Sequence, residues 1–206
     1  MAKQTEITIN IKKGISSVKN KLESLGFVEI EKYTGIDNYF TTISGEISST
    51  DYKTLLDSSI IIRSFSSKSK KDKTNLMVYK NKSLDKNGVV LSEEKISTTV
   101  ENLDNTLKIL KLAGLNNWLS LNQQNSFYKL GEIEITVGTV KGLDGTFLEI
   151  EEYPSISMLS PEEKIEKMVE IIKKLGFDSG NDYSVKKAYM LFKKNLEETS
   201  VQEKRQ

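Results

Sequence analysis

Alternation of apolar and polar residues is the feature that most restricts how this chain can fold. Residues 6–12 read Glu-Ile-Thr-Ile-Asn-Ile-Lys, and the alternation holds at all seven positions. A two-residue period is typical of a β-strand with one apolar and one polar face. Further extended segments are predicted at residues 27–33, 37–42, 59–65, 75–80, 89–99, 133–140 and 146–152. This many short strands favours a barrel or curved sheet with polar residues inside. The same alternation also fits a sheet whose outer face meets water.

Turn and loop signals separate these segments. Gly35 predicts a turn after the second segment, and the Ser/Lys/Asp run at residues 66–74 predicts an exposed hairpin loop. Asn87-Gly88 and the glycine-containing residues 141–145 predict two further turns.

Helical periods occupy the remaining stretches. Residues 17–25, 103–113 and 184–196 predict helices, and the clearest helix follows Ser160. There Ser160, Pro161 and Glu163 supply an N-cap, a proline at the first helical position and a capping-box acid. We therefore predict one α+β domain at residues 1–198, with about eight antiparallel strands and three or four helices outside them. A polar C-terminal tail is expected at residues 199–206.

Composition narrows the chemistry open to such a domain. The 206 residues include no His and no Cys, which excludes disulfides, thiol nucleophiles, His/Cys zinc sites and triads with an imidazole base. Catalysis would have to use carboxylates, lysines, hydroxyls or a hard metal ion. The 30 basic and 29 acidic residues leave a net charge of +1, so no overall field selects duplex nucleic acid or a membrane as partner. Because no apolar run approaches the roughly 18 residues that span a bilayer, and no signal peptide is evident, we expect a cytoplasmic protein.

Two acids near the end of the strand-rich region suggest a metal site. Glu149 and Glu151 are two residues apart in the segment 146–152, so their side chains share one face of the predicted strand. Mg²⁺ and Mn²⁺ take oxygen ligands, and paired carboxylates on one face suit such an ion.

An ordered series of segments resembles the CYTH superfamily, which includes class IV adenylate cyclases and thiamine triphosphatases. The series covers roughly residues 6–192 and begins with the alternating strand that ends in Lys12. It continues with Asp37-Asn38-Tyr39-Phe40, the strand at residues 60–63, Val78-Tyr79-Lys80, and the hairpin Val-Lys-Gly-Leu-Asp-Gly-Thr-Phe-Leu-Glu-Ile-Glu at residues 140–151. The resemblance implies an antiparallel eight-stranded β-barrel that encloses a tunnel, with helices packed outside.

The resemblance also implies roles for particular residues. In that family, basic residues of the tunnel hold a triphosphate, and acids on several strands hold one or two divalent metals. Carried over by position, the implied phosphate contacts are Lys12, Arg63 and Lys80, and the implied Mg²⁺ or Mn²⁺ ligands are Glu149, Glu151 and Glu94. The predicted ligand site further includes the polar residues Thr8, Asn10, Gln124 and Lys141.

Departures from the family pattern decide the predicted activity. The first strand normally carries Glu-x-Glu-x-Lys, but counting back from Lys12 gives Asn10 and Thr8. Neutral amides at residues 122–125 replace an expected basic pair, and Gly138 stands where Asp is usual. A triphosphate hydrolase needs a metal to offset the charge of the transferred group and to orient water, so these losses weaken the case for hydrolysis.

We therefore predict a tunnel that binds an anionic nucleotide or another phosphorylated small molecule without efficient hydrolysis and without a cofactor, in a sequestering or sensing role. One alternative is an active Mg²⁺- or Mn²⁺-dependent triphosphatase or class IV adenylate cyclase-like enzyme that uses Glu149, Glu151 and Glu93 or Glu94. A second alternative is a protein-interaction scaffold with a vestigial tunnel, contacting partners through residues 66–74 and the last helix.

Overall fold

Nine β-strands in the described part of the chain form one antiparallel sheet. The computed structural model describes residues 3–43, 47–67, 69, 73–86, 90–178 and 180–203. The strands are β1 (Lys3–Gln4), β2 (Glu6–Ile11), β3 (Val28–Thr41), β4 (Ile60–Ser67), β5 (Thr74–Leu84), β6 (Val90–Thr99), β7 (Asn116–Leu130), β8 (Ile133–Val140) and β9 (Thr146–Glu151). Their order across the sheet is β1-β6-β5-β4-β3-β7-β8-β9-β2.

The first segment of the chain joins the two edges of this sheet. Only Thr5 separates β1 from β2, yet β1 pairs with β6 and β2 pairs with β9. Thr5 itself bridges the edges, because its hydroxyl donates to the Leu91 carbonyl at 3.1 Å and its N–H donates to the Glu152 carboxylate at 2.9 Å. The sheet therefore curls on itself, and β1 and β2 together act as one of eight strands. The predicted α+β fold, with eight antiparallel strands and helices outside, is confirmed.

In the part of the chain that the structure describes, five α-helices accompany the sheet: α1 (Ile15–Ser24), α2 (Tyr52–Asp57), α3 (Leu103–Leu112), α4 (Pro161–Leu175) and α5 (Lys187–Glu203). Short 3-10 turns lie at Ile47–Ser49 and Pro154–Ile156. The predicted start of α4 is confirmed: Ser160 and Glu163 form both hydrogen bonds of a capping box, and Gly176 ends the helix at a φ of 64°. No helix in the described residues is long and apolar enough to cross a membrane.

Alternation on β2 decides which side chains face the interior. Ile7, Ile9 and Ile11 are buried in a core that includes residues of α1 and α4, outside the curled sheet. Burying an isoleucine side chain is worth about 1.5–3 kcal/mol, so three of them fix the register of this strand. Glu6 and Thr8 are thereby turned toward the interior of the sheet.

Helix α5 closes one end of the curled sheet. Its residues Ala188, Leu191 and Phe192 share a buried core with Leu121 of β7 and Phe147 of β9. The segment before α5 adds backbone hydrogen bonds to β2, from Thr8 N–H to the Tyr183 carbonyl and from Val185 N–H to the Thr8 carbonyl, both at 3.0 Å. The interior is therefore covered where α5 begins.

Several predicted bounds were wrong. Gly35 does not make a turn but lies within β3, where a Cβ atom would come within 3.1 Å of the Phe65 Cβ and of the Ser64 carbonyl oxygen. Glycine at this position lets β4 approach β3 closely. The last helix begins at Lys187 rather than at residue 184 and continues to Glu203, beyond the expected start of the tail at residue 199.

Two elements were not delimited by the sequence patterns. Strand β7 spans fifteen residues, but its amide run at 122–125 has low strand propensity and hides the alternation. Helix α2 has six residues, too few for a helical period, and begins after an Asp51 side chain that caps it. The predicted turn at Asn87-Gly88 and the centre of the predicted loop at residues 66–74 lie outside the described residues.

Candidate functional site

The interior of the curled sheet contains a cavity of about 230 Å³. Its polar lining comes from inward positions of most strands and from the segment where α5 begins. Among the described residues, its charged lining consists of six cations and five acids: Arg63, Lys80, Lys82, Lys95, Lys186 and Lys187, with Glu6, Asp37, Glu93, Glu149 and Glu151. Opposite charges are therefore intermixed around the cavity.

Arg63 on β4 and Asp37 on β3 form a bidentate ion pair in the wall. The Arg63 Nε and Nη2 atoms donate to the two oxygens of the Asp37 carboxylate at 2.7 and 2.6 Å. Asp37 is only 2% exposed and also accepts from Gln123 Nε2 at 3.2 Å. Burial lowers the pKa of Arg63, but the Asp37 carboxylate outweighs burial and raises it, so the guanidinium stays charged.

The wall formed by β5 and β6 carries more positive than negative charge. Lys80 and Lys82 both contact the Glu93 carboxylate, at 2.6 and 2.9 Å. Lys95 lies directly opposite Lys80 across the β5–β6 pair. No hydrogen bond or ion pair within the described residues engages the Lys95 ammonium. Three ammonium groups and one carboxylate thus line the cavity on this wall.

The pKa values of this wall follow from the same arrangement. Burial raises the pKa of Glu93, but Lys80 and Lys82 outweigh burial and lower it to about 2. Burial together with the positive charges of Lys80 and Arg63 lowers the pKa of Lys95. A bound anion would stabilise the charged form of Lys95, which these surroundings disfavour.

A pair of acids faces the cavity on the strands that close the sheet. Glu6 on β2 lies directly opposite Glu151 on β9. Neither carboxylate has a hydrogen bond or ion pair within the described residues. Partial burial and the negative charge of Glu6 raise the pKa of Glu151, against the opposing effect of Lys95. Like charges directly opposite on neighbouring strands are destabilising, and a bound cation would relieve them.

Glu149 belongs to a separate contact. Its carboxylate accepts from Lys187, the first residue of α5, at 2.7 Å. Burial raises the pKa of Glu149, but Lys187 outweighs it and lowers the pKa. Lys187 is also 3.4 Å from the Gln123 Oε1, so α5 contributes a cation to the cavity as well as an apolar face.

The wall formed by β7 and β8 is uncharged. Its cavity-facing residues are Leu121, Gln123 and Phe127 on β7 and Thr136 on β8. Tyr33 on the neighbouring strand β3 packs against Phe127, with ring centroids 5.3 Å apart and ring planes inclined by 31°. Two opposite walls of the cavity therefore differ in chemical character.

The structure brings together half of the residues that the sequence suggested for the site. Thr8, Arg63, Lys80, Glu149 and Glu151 line the cavity. Three of the others do not line it. Gln124 and Glu94 follow the inward residues Gln123 and Glu93, so their side chains lie on the opposite face of the strand. Lys141 comes just after the last residue of β8.

Asn10 and Lys12 are also outside the cavity, although they share a face with Thr8. Asn10 Nδ2 donates to the Asp144 carbonyl at 3.1 Å and is paired with Phe147, which belongs to the core beneath α5. Lys12 follows the last residue of β2 and is exposed. The cavity ends before either residue is reached.

Glu93, which the sequence offered only as an alternative to Glu94, lines the cavity, and five other charged lining residues were not selected from the sequence: Glu6, Asp37, Lys82, Lys95 and Lys187. For the charged residues of β5 and β6 a usable signal was present. Lys82, Glu93 and Lys95 each lie two positions from another cavity-facing charge, and a two-residue period keeps them on the same face. For Lys187 none was available, because its place depends on how α5 docks.

Comparison with known proteins identifies the family. A sequence model of the CYTH domain matches residues 5–185, most of the chain. The chain belongs to the CYTH family. The resemblance of the separate segments to the CYTH family is thereby confirmed over residues 5–185.

Relatives of this CYTH protein agree with the fold. It is 29% identical over 176 residues to "Putative adenylate cyclase MJ0240" of Methanocaldococcus jannaschii, covering 85% of this chain and 90% of the relative. The PH1819 protein of Pyrococcus horikoshii superposes with a TM-score of 0.66 at 20% identity, over 88% of this chain and 94% of that one. A "putative adenylate cyclase" of Vibrio parahaemolyticus gives 0.66 at 16% identity, over 93% and 98%. The two structural likenesses establish the same fold.

Proposed function

We propose that the cavity binds the phosphate groups of a nucleotide or another phosphorylated small molecule and does not turn it over efficiently, so that the protein sequesters or senses its ligand. The observation that carries this proposal is the register of Lys80 and Lys95, two ammonium groups directly opposite each other on β5 and β6. Lys82 adds a third ammonium, and Glu93, which contacts Lys80 and Lys82, is the one carboxylate among the cavity-lining residues of β5 and β6. A phosphate placed between them supplies the missing negative charge.

The shape of the cavity strengthens this attraction. Lys80 is held inside the curled sheet, where its charge is less screened by water than that of a surface lysine. Arg63 is already fixed by Asp37, so it adds a second kind of donor without first having to be ordered. Family membership and the adenylate cyclase names of two relatives support a nucleotide or polyphosphate as the ligand class.

The absence of efficient turnover rests on the opposite wall. The cavity-facing residues of β7 and β8 include neither a lysine, an arginine nor an acid. Phosphoryl transfer depends on charged groups that stabilise and position the transferred group, and these two strands supply none to the cavity.

Calorimetry tests the proposal directly. With chelator present, we expect ATP, ADP or tripolyphosphate to bind, and the Lys80→Met variant to bind about 10- to 100-fold more weakly. Lys108→Met on the exposed surface of α3 is the matched control and leaves the affinity unchanged. Binding that strictly requires a metal, or rapid release of phosphate from the bound ligand, contradicts the proposal.

A second candidate function is a Mg²⁺- or Mn²⁺-dependent triphosphatase or cyclase, and the Glu6–Glu151 pair favours it. Within the described residues no three acidic side chains form a ready cation site. Two carboxylates are nevertheless enough for Mg²⁺, which is often held by one or two carboxylates, waters and the substrate phosphates. Glu6 and Glu151 would hold the ion, which would offset charge on the transferred phosphoryl group.

Turnover assays with ATP, thiamine triphosphate and tripolyphosphate in Mn²⁺ separate the two functions. Activity that disappears in Glu151→Gln but persists in the surface variant Glu101→Gln would favour the enzyme. Binding without product in the same buffer favours the sequestering protein.

A further inference from the structure

We infer that the β7–β8 wall of the cavity receives an uncharged planar ring of the ligand, such as a nucleobase, and that the ligand is therefore a nucleotide rather than an inorganic polyphosphate. This inference rests on the proposed binding of phosphate at the β5–β6 wall and specifies what the rest of the ligand is.

The strand order sets the two walls against each other. Around the curled sheet, three strands lie between β6 and β7 in either direction. In one direction they are β5, β4 and β3, and in the other they are the β1–β2 segment, β9 and β8. Strands β6 and β7 are thus on opposite sides of the cavity. A ligand that touches both walls must be charged on one side and uncharged on the other.

Aromatic side chains give the neutral wall a surface for a flat ring. Tyr33 and Phe127 both line the cavity and pack with their planes only 31° apart. The Phe65 ring contacts Tyr33 edge-on, with centroids 6.0 Å apart, and holds Tyr33 from the far side. Nucleic-acid bases stack on aromatic surfaces of this kind whatever their sequence identity.

Hydrogen-bonding groups beside the Tyr33 and Phe127 rings are fixed in place. Asn125 Nδ2 donates to the Tyr33 hydroxyl oxygen at 2.6 Å and to Gln123 Oε1 at 3.2 Å. Burial raises the pKa of Tyr33 to about 12, so its hydroxyl keeps its proton at neutral pH. Since the oxygen already accepts from Asn125, the proton is left to be donated. The Thr136 hydroxyl has no hydrogen bond within the described residues.

The cost of removing water from a phosphate disfavours the reverse orientation, with the phosphate at the β7–β8 wall and the ring at the β5–β6 wall. A phosphate against the Tyr33 and Phe127 rings would lose water and gain no cation from β7 or β8, whereas a ring with amide and carbonyl groups finds both an apolar surface and donors. Lys95 on the opposite wall would then remain without an anion. The two walls therefore specify the orientation of the ligand.

Calorimetry with chelator present tests the inference on the full chain, using ATP, GTP, CTP and UTP against tripolyphosphate. We expect at least one nucleotide to bind about ten-fold more tightly than tripolyphosphate. Phe127→Leu should weaken that nucleotide by roughly 5- to 150-fold, the range for loss of a base–aromatic stack, and change tripolyphosphate by less than about two-fold. Tyr79→Leu, an aromatic on the outer face of β5, is the matched control and alters neither affinity.

Tyr33→Phe provides a second variant that removes only the hydroxyl, in case Phe127→Leu does not fold. It should also weaken the nucleotide selectively. Tripolyphosphate that binds as tightly as every nucleotide, or variants that weaken both ligands equally, overturn the inference while leaving phosphate binding intact. Failure of all five compounds to bind the unaltered protein overturns the proposed function and the inference with it.

Discussion

A Cβ atom on Gly138 would lie 1.7 Å from the Oδ1 atom of Asn125. The two residues are paired across β7 and β8, so the Asn125 amide occupies the space that a side chain at position 138 would need. The same hypothetical Cβ would be 2.8 Å from the Gln124 carbonyl oxygen. The packing between β7 and β8 therefore requires that position 138 has no side chain as long as position 125 is Asn.

Gly138→Ala should therefore lower stability by about 1–3 kcal/mol, the usual cost of overpacking a filled interior. For a chain of this length, that corresponds to a fall in the melting temperature of roughly 2–12 °C. In an Asn125→Ala background the cost should be smaller, because the nearest atom is gone, but not zero, because the Gln124 carbonyl remains. Equal costs in the two backgrounds, measured by chemical denaturation, would contradict this coupling.

Lys95→Met should stabilise the protein while weakening its binding of anions. The substitution removes a positive charge opposite Lys80, and at neutral pH the folded state no longer holds an ammonium in unfavourable surroundings. A folded-state pKa lowered for a lysine costs stability below that pKa and costs nothing above the unfolded value, so the gain should fade at strongly alkaline pH. We expect a rise of roughly 1–3 °C in the melting temperature at pH 7.

The matched control for Lys95→Met is Lys108→Met, an exposed lysine of α3. Calorimetry with ATP supplies the second readout. A Lys95→Met protein that melts lower and binds ATP normally would show that Lys95 supports the fold and not the ligand.

Acid should destabilise the protein partly through Glu29. Burial raises its pKa, but hydrogen bonds from Lys32, Ser126 and Lys19 outweigh burial and lower it to about 2. A carboxyl whose folded pKa is lowered contributes stability above its unfolded value, and this is lost as pH falls from about 5 to about 2. Because the site is partly solvated, we expect Glu29→Gln to cost only about 1 kcal/mol at pH 7.

Thermal melts of Glu29→Gln and of the exposed control Glu101→Gln over this pH range measure the effect. The gap between Glu29→Gln and the unaltered chain should be about 2–4 °C at pH 7 and close by pH 2. A gap that stays constant with pH would mean that packing, and not the charge, is what Glu29 contributes.

Breaking the Arg63–Asp37 pair should be more damaging than replacing both partners. Asp37→Ala leaves the Arg63 guanidinium in the wall without its carboxylate, which typically costs about 3–5 kcal/mol. The double change Asp37→Leu with Arg63→Met removes the unpaired charge and should recover part of that loss. Urea denaturation of both variants measures it, and a double variant less stable than Asp37→Ala would contradict the prediction.

Elements that depend on a single local pattern of residues could be predicted from the sequence. The period of two on β2 predicted a half-polar strand, and the capping box at Ser160 predicted the start of α4. The prediction was wrong where a residue type is favoured by two different structures. At Gly35 the turn preference of glycine was weighed alone, although close approach of a neighbouring strand also selects glycine.

Residues of the candidate site were likewise predicted correctly only where the local pattern of the strand is clear. Arg63 and Lys80 lie on strands with clear alternation, and both line the cavity. Gln124 and Glu94 were each one residue from the inward position, and a slip of one residue reverses the face of a strand. Lys187 depends on the docking of α5 against residues far away in the chain, which no local pattern records.

The segment at residues 3–11 is synthesised early but closes the sheet only after its partner strands have been synthesised. Thr8 takes its partners from β9 and from Tyr183 and Val185, which leave the ribosome long after it does. Until those residues emerge, β2 remains an unpaired edge that other chains can occupy. The nascent protein therefore passes most of its translation with its sheet open and exposed to aggregation.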